Sequence, residues 1–346
     1  MRGSRGLRVA RVTAMSIKKY MAEVSACRGR IMGVCMLFIL FFHGGVRLRE
    51  PWNYFCNLLW GVDIFFFASG MGVFSSLSNN GDTLSFYARR ARRILPAYIP
   101  VVLLFFIPVI IDAARAGALP TAVQELLGNL MMLGWVNRLE NQFNWYPQVI
   151  CLVYLASPAL FLIVSRAAQS ARAMLALFAV AALSQVCFFN SHFLIAWSRM
   201  LYFLMGLAGA ALAARDARFK LNVPIMLILF VIGNGLMYYG QRFPEELLWG
   251  YGLSWYPGLL IIPGAMLIMC RGFALCERVR ALSWLGRLFE LMGKYSFEIF
   301  LIHLLLFSTL TRLGLEPQGN FQWLLAIIAS VPLAVGYGRL IKHFRA

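Results

Sequence analysis

A histidine, His43, closes a run of twelve uncharged, mostly apolar residues that begins at Ile31. Imidazole is the side chain whose ordinary pKa lies nearest neutrality, so it can take a proton and give it back. At the end of an apolar run such a group is costly unless it faces protein or water. Two readings are open. His43 is a core histidine bonded to a neighbouring helix, or it is a general base that takes a hydroxyl proton while the oxygen attacks a carbonyl. Gly44 and Gly45 follow at once and leave room for a ligand.

A carboxylate comes next. Asp63 stands in Gly61-Val62-Asp63-Ile64-Phe65-Phe66-Phe67-Ala68-Ser69-Gly70, about ten residues inside a second apolar stretch. It needs a partner there. Either it orients His43, as a carboxylate orients an imidazole in a catalytic triad, or it pairs with a cation such as Lys294 or Arg199. Ser69-Gly70 suits close helix packing.

Four arginines, Arg89, Arg90, Arg92 and Arg93, precede a third apolar stretch. They are ordinary topology anchors, or a phosphate site. Arginine forks match phosphate oxygens, and Arg89 and Arg93 share a helical face. The phosphates of coenzyme A would be neutralised there. A late cluster holds Lys294, Glu298 and His303. The first two are four apart and pair on one face. His303 contacts an acceptor or sits satisfied in the core. Trp135, Trp145, Tyr146, Trp249, Tyr251, Trp255 and Tyr256 fall at one set of span ends, as interfacial belts or as platforms for a sugar ring.

These residues must be positioned by membrane helices. The chain has 346 residues, is 61% hydrophobic and only 13% charged, and has a mean hydropathy of +0.72. A soluble domain carries about 25% charged residues. Apolar runs of about 20 residues recur, which predicts one polytopic unit. Ten spans are expected: 28–46, 53–77, 94–112, 145–165, 174–190, 195–214, 223–240, 247–270, 284–311 and 321–341. A short helix within 121–136 is a further option. Residues 1–27 read as a basic cytoplasmic tail, disordered or lying on anionic lipid, and residues 28–346 as the membrane domain. No cleavable signal stands out, so the first span serves as an uncleaved signal.

The net charge of +18 invites a nucleic-acid partner, but its distribution argues against one. Of the 32 Lys and Arg, 24 fall in one alternate set of loops. Only Arg47, Arg49, Arg115, Arg138, Arg242 and Arg312 fall in the other. That bias predicts both termini in the cytoplasm. Seven cysteines show neither CxxC nor metal-ligand spacing, so no disulfide framework and no metal site is expected.

Taken together, the stretches resemble the acyltransferase 3 family of integral-membrane acyltransferases. The family writes an RG…FH helix, a GVDLFFxxSG helix and an RRxxRIxP start to the third. Here these read Met32-Gly33…Phe42-His43, Gly61–Gly70 and Arg90–Pro96. Trp145-Tyr146-Pro147 with Tyr154 and Pro158 looks like the family's fourth helix, and Gly293–His303 like its late YSxxIYLIH helix. The resemblance covers about residues 28–310. It implies ten or so spans and transfer of an acetyl-like group from cytoplasmic acyl-CoA to a hydroxyl of a surface carbohydrate or lipid-linked glycan precursor. It also implies a plasma (inner) membrane location and His43 as the catalytic residue.

The chain departs from the pattern. The family's arginine, eleven residues before the histidine, is Met32 here. Arg30 is taken as the substitute that places the thioester, although it lies about 220° around an ideal helix from His43; Arg28 is only about 60° off. An acidic pair common in the fourth helix is replaced by Gln148 and neutral neighbours. On this reading His43, Asp63 and Arg30 are catalytic. Arg89, Arg90, Arg92 and Arg93 hold the donor, and Trp145, Tyr146, Glu298 and His303 meet the acceptor. Expected partners are acyl-CoA, a carbohydrate acceptor, membrane lipid and, optionally, a second copy of the chain. The rivals are a transporter or flippase with Asp63, Lys294 and Glu298 along its path, and a catalytically silent scaffold.

Overall fold

The computed structural model describes residues 14–58, 60–215, 219–243 and 255–345. Among these the chain is almost entirely helical, a polytopic helical bundle. Helices α1 (Ile17–Ala26) and α2 (Arg28–His43) open it. Next come α3 (Asn53–Cys56), α4 (Trp60–Asn80), α5 (Thr83–Arg115) and α6 (Leu119–Leu130). The middle is α7 (Trp145–Ala167), α8 (Ala171–Leu183), α9 (Leu194–Ala214) and α10 (Val223–Arg242). The last four are α11 (Gly258–Arg278), α12 (Ser283–Lys294), α13 (Ser296–Arg312) and α14 (Asn320–Leu340).

Eight segments are single helices long and apolar enough to cross a membrane. Two more are bent pairs, α1 with α2 at 69° and the Arg280–Lys294 segment with α13 at 75°, which bring the total to ten if each counts as one span. Hydropathy found the right number of segments but not the bends. The expected ninth span, 284–311, breaks at Tyr295 because its first half is amphipathic. Leu288 and Leu291 face outward while Gly286, Met292 and Gly293 are buried. The expected eighth span, 247–270, lies later in the chain, and its first residues fall outside the described ones. The short helix foreseen within 121–136 is α6.

Residues 14–26, assigned by sequence to a tail, are folded onto the bundle. Ala14–Ser16 pairs antiparallel with Lys220–Asn222. Ile17, Tyr20, Met21 and Val24 of α1 are buried against α9 and α11, and the Tyr20 hydroxyl donates to the Pro263 carbonyl at 3.1 Å. These apolar positions recur at helical spacing, which the surrounding basic residues obscure in the sequence.

Close packing sets the geometry around the site. A Cβ on Gly70 would run into the Phe203 carbonyl oxygen, and one on Gly206 into that of Phe67, so α4 and α9 touch backbone to backbone. The same holds between α2 and α12, where Gly33 meets Phe289 and Gly293 meets Gly29. Small residues permit this approach where the surrounding lipid offers no hydrophobic drive. The prolines inside α5 (Pro96, Pro100 and Pro108) leave unbonded carbonyls that neighbours can satisfy. The Ala97 carbonyl of α5 also accepts from the Tyr337 hydroxyl at 2.6 Å, which ties α5 to α14.

Candidate functional site

His43 is the last residue of α2, and Gly44 ends the helix in extended conformation. Its Nδ1 lies 3.0 Å from Nε2 of His303, and the rings stack with centroids 5.1 Å apart. His303 is fully buried, and its Nδ1 lies 2.8 Å from the Ile299 carbonyl oxygen one turn back in α13. His303, expected against the acceptor, is therefore packed behind His43 instead. The two glycines after His43 pack against α14 and also line an open depression beside His43. A Cβ on Gly45 would strike the Trp323 indole, and one on Gly44 would strike Ile327, so both serve the packing of α14.

A cavity of about 480 Å³ opens on one side of His43. Trp145, Tyr146, Trp255 and Tyr54 give it aromatic walls, and Asn53, Asn57, Asn144, Gln241 and Arg242 give it polar ones. A second, narrower space of about 60 Å³ adjoins it. The two share Ile39, Val62, Tyr146 and Phe300 as walls. The narrow space leads to Arg28, Arg90 and Arg93, with Ser69 and Tyr154 beside them. Arg28 and Arg89 then line an open depression of about 400 Å³. Arginine end, narrow cleft, wide cavity and His43 thus lie in sequence. A further depression of about 550 Å³ reaches His43 past Phe42, between Arg47, Gln142 and Trp323.

The arginines separate by role. Arg89 donates to the Ser76 hydroxyl at 3.1 Å, and Arg90 lies over Tyr154, 4.7 Å from the ring centre. Arg93 lines the cleft, whereas Arg92 is exposed and lines none of these spaces. Arg30 points away from the path. It pairs with Glu277 at 2.5 Å and Glu290 at 3.6 Å, and lies over Phe273. Arg28, not Arg30, lines the narrow space, lying across α4 at Gly72. The helical angle explains the exchange, since Arg28 is the nearer of the two to the His43 face.

Asp63 is bound by Arg199 rather than His43. Arg199 Nε is 3.1 Å from Oδ1, with both side chains buried in the α4–α9 interface. Arg199 Nη1 donates to the Ile195 carbonyl at 3.1 Å and the Ser198 hydroxyl at 3.0 Å. Its guanidinium lies between Trp255, 4.5 Å from the ring centre, and Trp145 at 5.7 Å, and forms part of the cavity wall. Sequence reasoning named Arg199 as a possible partner of Asp63 but missed it as a cavity residue. The available signal was an arginine inside an apolar span.

Trp145 and Tyr146 line the wide cavity, as expected. Glu298 does not line these spaces; it is buried against α14 beside Gly338, while the Lys294 ammonium lies over Tyr295. Gln148 accepts from the Trp135 backbone amide at 2.7 Å and donates to the Asn144 carbonyl, so it holds the loop before α7. Trp249 and Tyr251 lie outside the described residues. Among the described residues no three His, Cys, Asp or Glu side chains converge as a metal site.

What this arrangement can do follows from its parts. Cationic forks at one end suit a phosphorylated molecule. A cavity with indole faces and amide edges suits a sugar. An imidazole at the junction can move a proton between them. In comparisons with known proteins, the acyltransferase 3 model, described as an acyltransferase domain, matches residues 32–339. No curated protein and no solved structure matches the chain.

Proposed function

The chain belongs to the acyltransferase 3 family and is a multi-pass membrane acyltransferase, and we propose that it moves an acetyl or similar acyl group from coenzyme A to a hydroxyl of a cell-surface carbohydrate or lipid-linked glycan precursor. The observation that carries this reading is the pair of adjoining spaces, which joins the arginine end to His43 through shared walls. The loop-charge bias supports a cytoplasmic arginine end, the side on which acyl-CoA is made, in a chain of the plasma (inner) membrane.

The residues present fit such a donor. Arg28, Arg90 and Arg93 surround the narrow space, and Arg89 stands at its mouth. They would hold phosphates by charge-assisted bonds. The cleft is apolar beyond them, with Met32, Ile94, Ile150 and Phe297. It suits a thin, weakly polar arm and excludes water from a reactive thioester. The acceptor belongs in the wide cavity, with its rings against Trp145 and Trp255 and its hydroxyls on the amide side chains.

His43 Nε2 takes the acceptor's hydroxyl proton as that oxygen attacks the thioester carbonyl. The carbon–sulfur bond breaks, and His43 returns the proton to the departing thiolate. An ester and a free thiol result, and the histidine ends as it began. Such a base contributes about 10²–10⁴-fold to the rate.

The deciding experiment uses purified protein in nanodiscs with labelled acetyl-CoA and an extracted envelope glycan. Label should enter the glycan with one free thiol per acyl group, and His43→Ala should abolish both while leaving the protein folded. No thiol release in nanodiscs, with glycan movement across the membrane when the same protein is placed in sealed vesicles, would indicate a transporter and overturn the reading.

A further inference from the structure

Two short distances fix where the protons sit on the paired histidines. His303 Nδ1 is 2.8 Å from the Ile299 carbonyl oxygen. That oxygen carries no proton, so Nδ1 is the donor. A neutral imidazole has one N–H, which leaves Nε2 of His303 as a bare acceptor. This Nε2 lies 3.0 Å from His43 Nδ1. The contact needs one proton, and His43 must supply it. His43 is thereby held as the Nδ1–H form, and its Nε2 keeps a free lone pair. The ring borders the wide cavity on one side of Phe42 and the second depression on the other.

The surroundings favour this single arrangement. His303 is fully buried, with Phe300 and Phe307 presenting edges to it at 5.5 Å, so no water replaces either bond. The carboxylate expected to orient His43, Asp63, is engaged by Arg199 in another interface.

We propose that His303 is a positioning residue which, through the Ile299 carbonyl, locks His43 in the tautomer that presents an unprotonated Nε2 to substrate. It touches neither donor nor acceptor. When His43 becomes an imidazolium, its Nδ1–H keeps donating to His303 Nε2, so no bond is broken as the charge arrives. The inference rests on the reading of His43 as general base and adds how that base is set.

The test combines nitrogen NMR of ¹⁵N-histidine-labelled protein in nanodiscs with steady-state kinetics. The chain has four histidines, and His43→Ala assigns the His43 signals. The wild type should show His43 with a protonated Nδ1 and a bare Nε2. His303→Leu should lose that pattern and lower kcat by about 10²–10⁴-fold, the range of a misaligned or wrongly protonated base. Its KM for acyl-CoA should stay within about twofold, since the arginines are untouched. In His303→Gln the side-chain carbonyl can still accept from His43 Nδ1–H. That variant should recover at least about a tenth of wild-type kcat and restore the nitrogen pattern.

Failure of the functional reading appears as an active His43→Ala. Failure of this inference appears separately, as an inactive His43→Ala beside a fully active His303→Leu. A wild-type His43 with its proton on Nε2 would overturn it as well, whether or not the His303 variants fold.

Discussion

Replacing Asp63 by leucine strands a guanidinium inside the bundle. Arg199 Nε is 3.1 Å from Asp63 Oδ1, and the two side chains are 4% and 0% exposed, so solvent does not screen the pair. At that distance with an effective dielectric of about 20, Coulomb attraction is roughly 5 kcal/mol. Removing one partner of a buried pair costs about 3–5 kcal/mol. The stacking of Arg199 between Trp145 and Trp255 survives the substitution and offsets part of the loss, by about 1–2 kcal/mol. A net loss of about 1–4 kcal/mol is therefore expected for Asp63→Leu. At about 2–4 °C per kcal/mol, the midpoint falls by roughly 2–16 °C. The double variant Asp63→Leu with Arg199→Met removes both charges and should be more stable than Asp63→Leu alone, because no charge is left unpaired. Thermal unfolding in one detergent, followed as a double-mutant cycle, measures the coupling. Additive losses, or a single variant within about 0.5 kcal/mol of wild type, would refute the claim that this pair holds α4 against α9.

Three further outcomes are expected. Arg90→Gln and Arg93→Gln should each raise KM for acyl-CoA by about 10–100-fold with kcat nearly unchanged, from bonds of about 1.5–3 kcal/mol to a charged group. Arg30→Gln should leave that KM alone, because Arg30 is occupied by Glu277 and Glu290; initial rates at varied donor concentration distinguish the cases. Gly206→Leu should lower stability by at least about 1–3 kcal/mol, because its side chain must push the Phe67 carbonyl away. Gly272→Ala has open space around it and should be tolerated in the same thermal assay. Trp255→Ala should raise KM for the glycan by about tenfold, from a lost contact of about 1 kcal/mol or more, without changing KM for the donor.

How much of this was legible beforehand varies by residue. Ten apolar segments were visible because a bilayer demands about 20 apolar residues for each crossing. His43, Trp145 and Tyr146 were visible as chemistry-bearing residues at span ends, and they do border the wide cavity. The two bends were not visible. Hydropathy averages over Tyr295, which is neither proline nor glycine, and the bend at Cys27 fell between the expected tail and the first expected span. The choice between Arg30 and Arg28 depended on helical phase alone, and Glu277 and Glu290, far along the chain, decided it by engaging Arg30. Asp63 could have been matched to Arg199 only by knowing that α4 and α9 meet face to face. That meeting depends on Gly70, legible as a packing residue beside Ser69, and on Gly206, whose partner helix no local pattern conveys.

The run of helix from Arg28 to His43 also works as a measuring rod. Fifteen residue steps at 1.5 Å set the two side chains' backbones about 22 Å apart. On the proposed reading, a donor must hold its anionic head and its reactive carbon at about that separation to satisfy both ends at once. Extended phosphopantetheine has this reach, whereas a compact activated acyl compound such as acetyl phosphate does not. Lengthening or shortening the rod by a whole turn would keep the histidine's facing and change only its distance from the arginines, so the enzyme would select for length of carrier before it selects for the group carried.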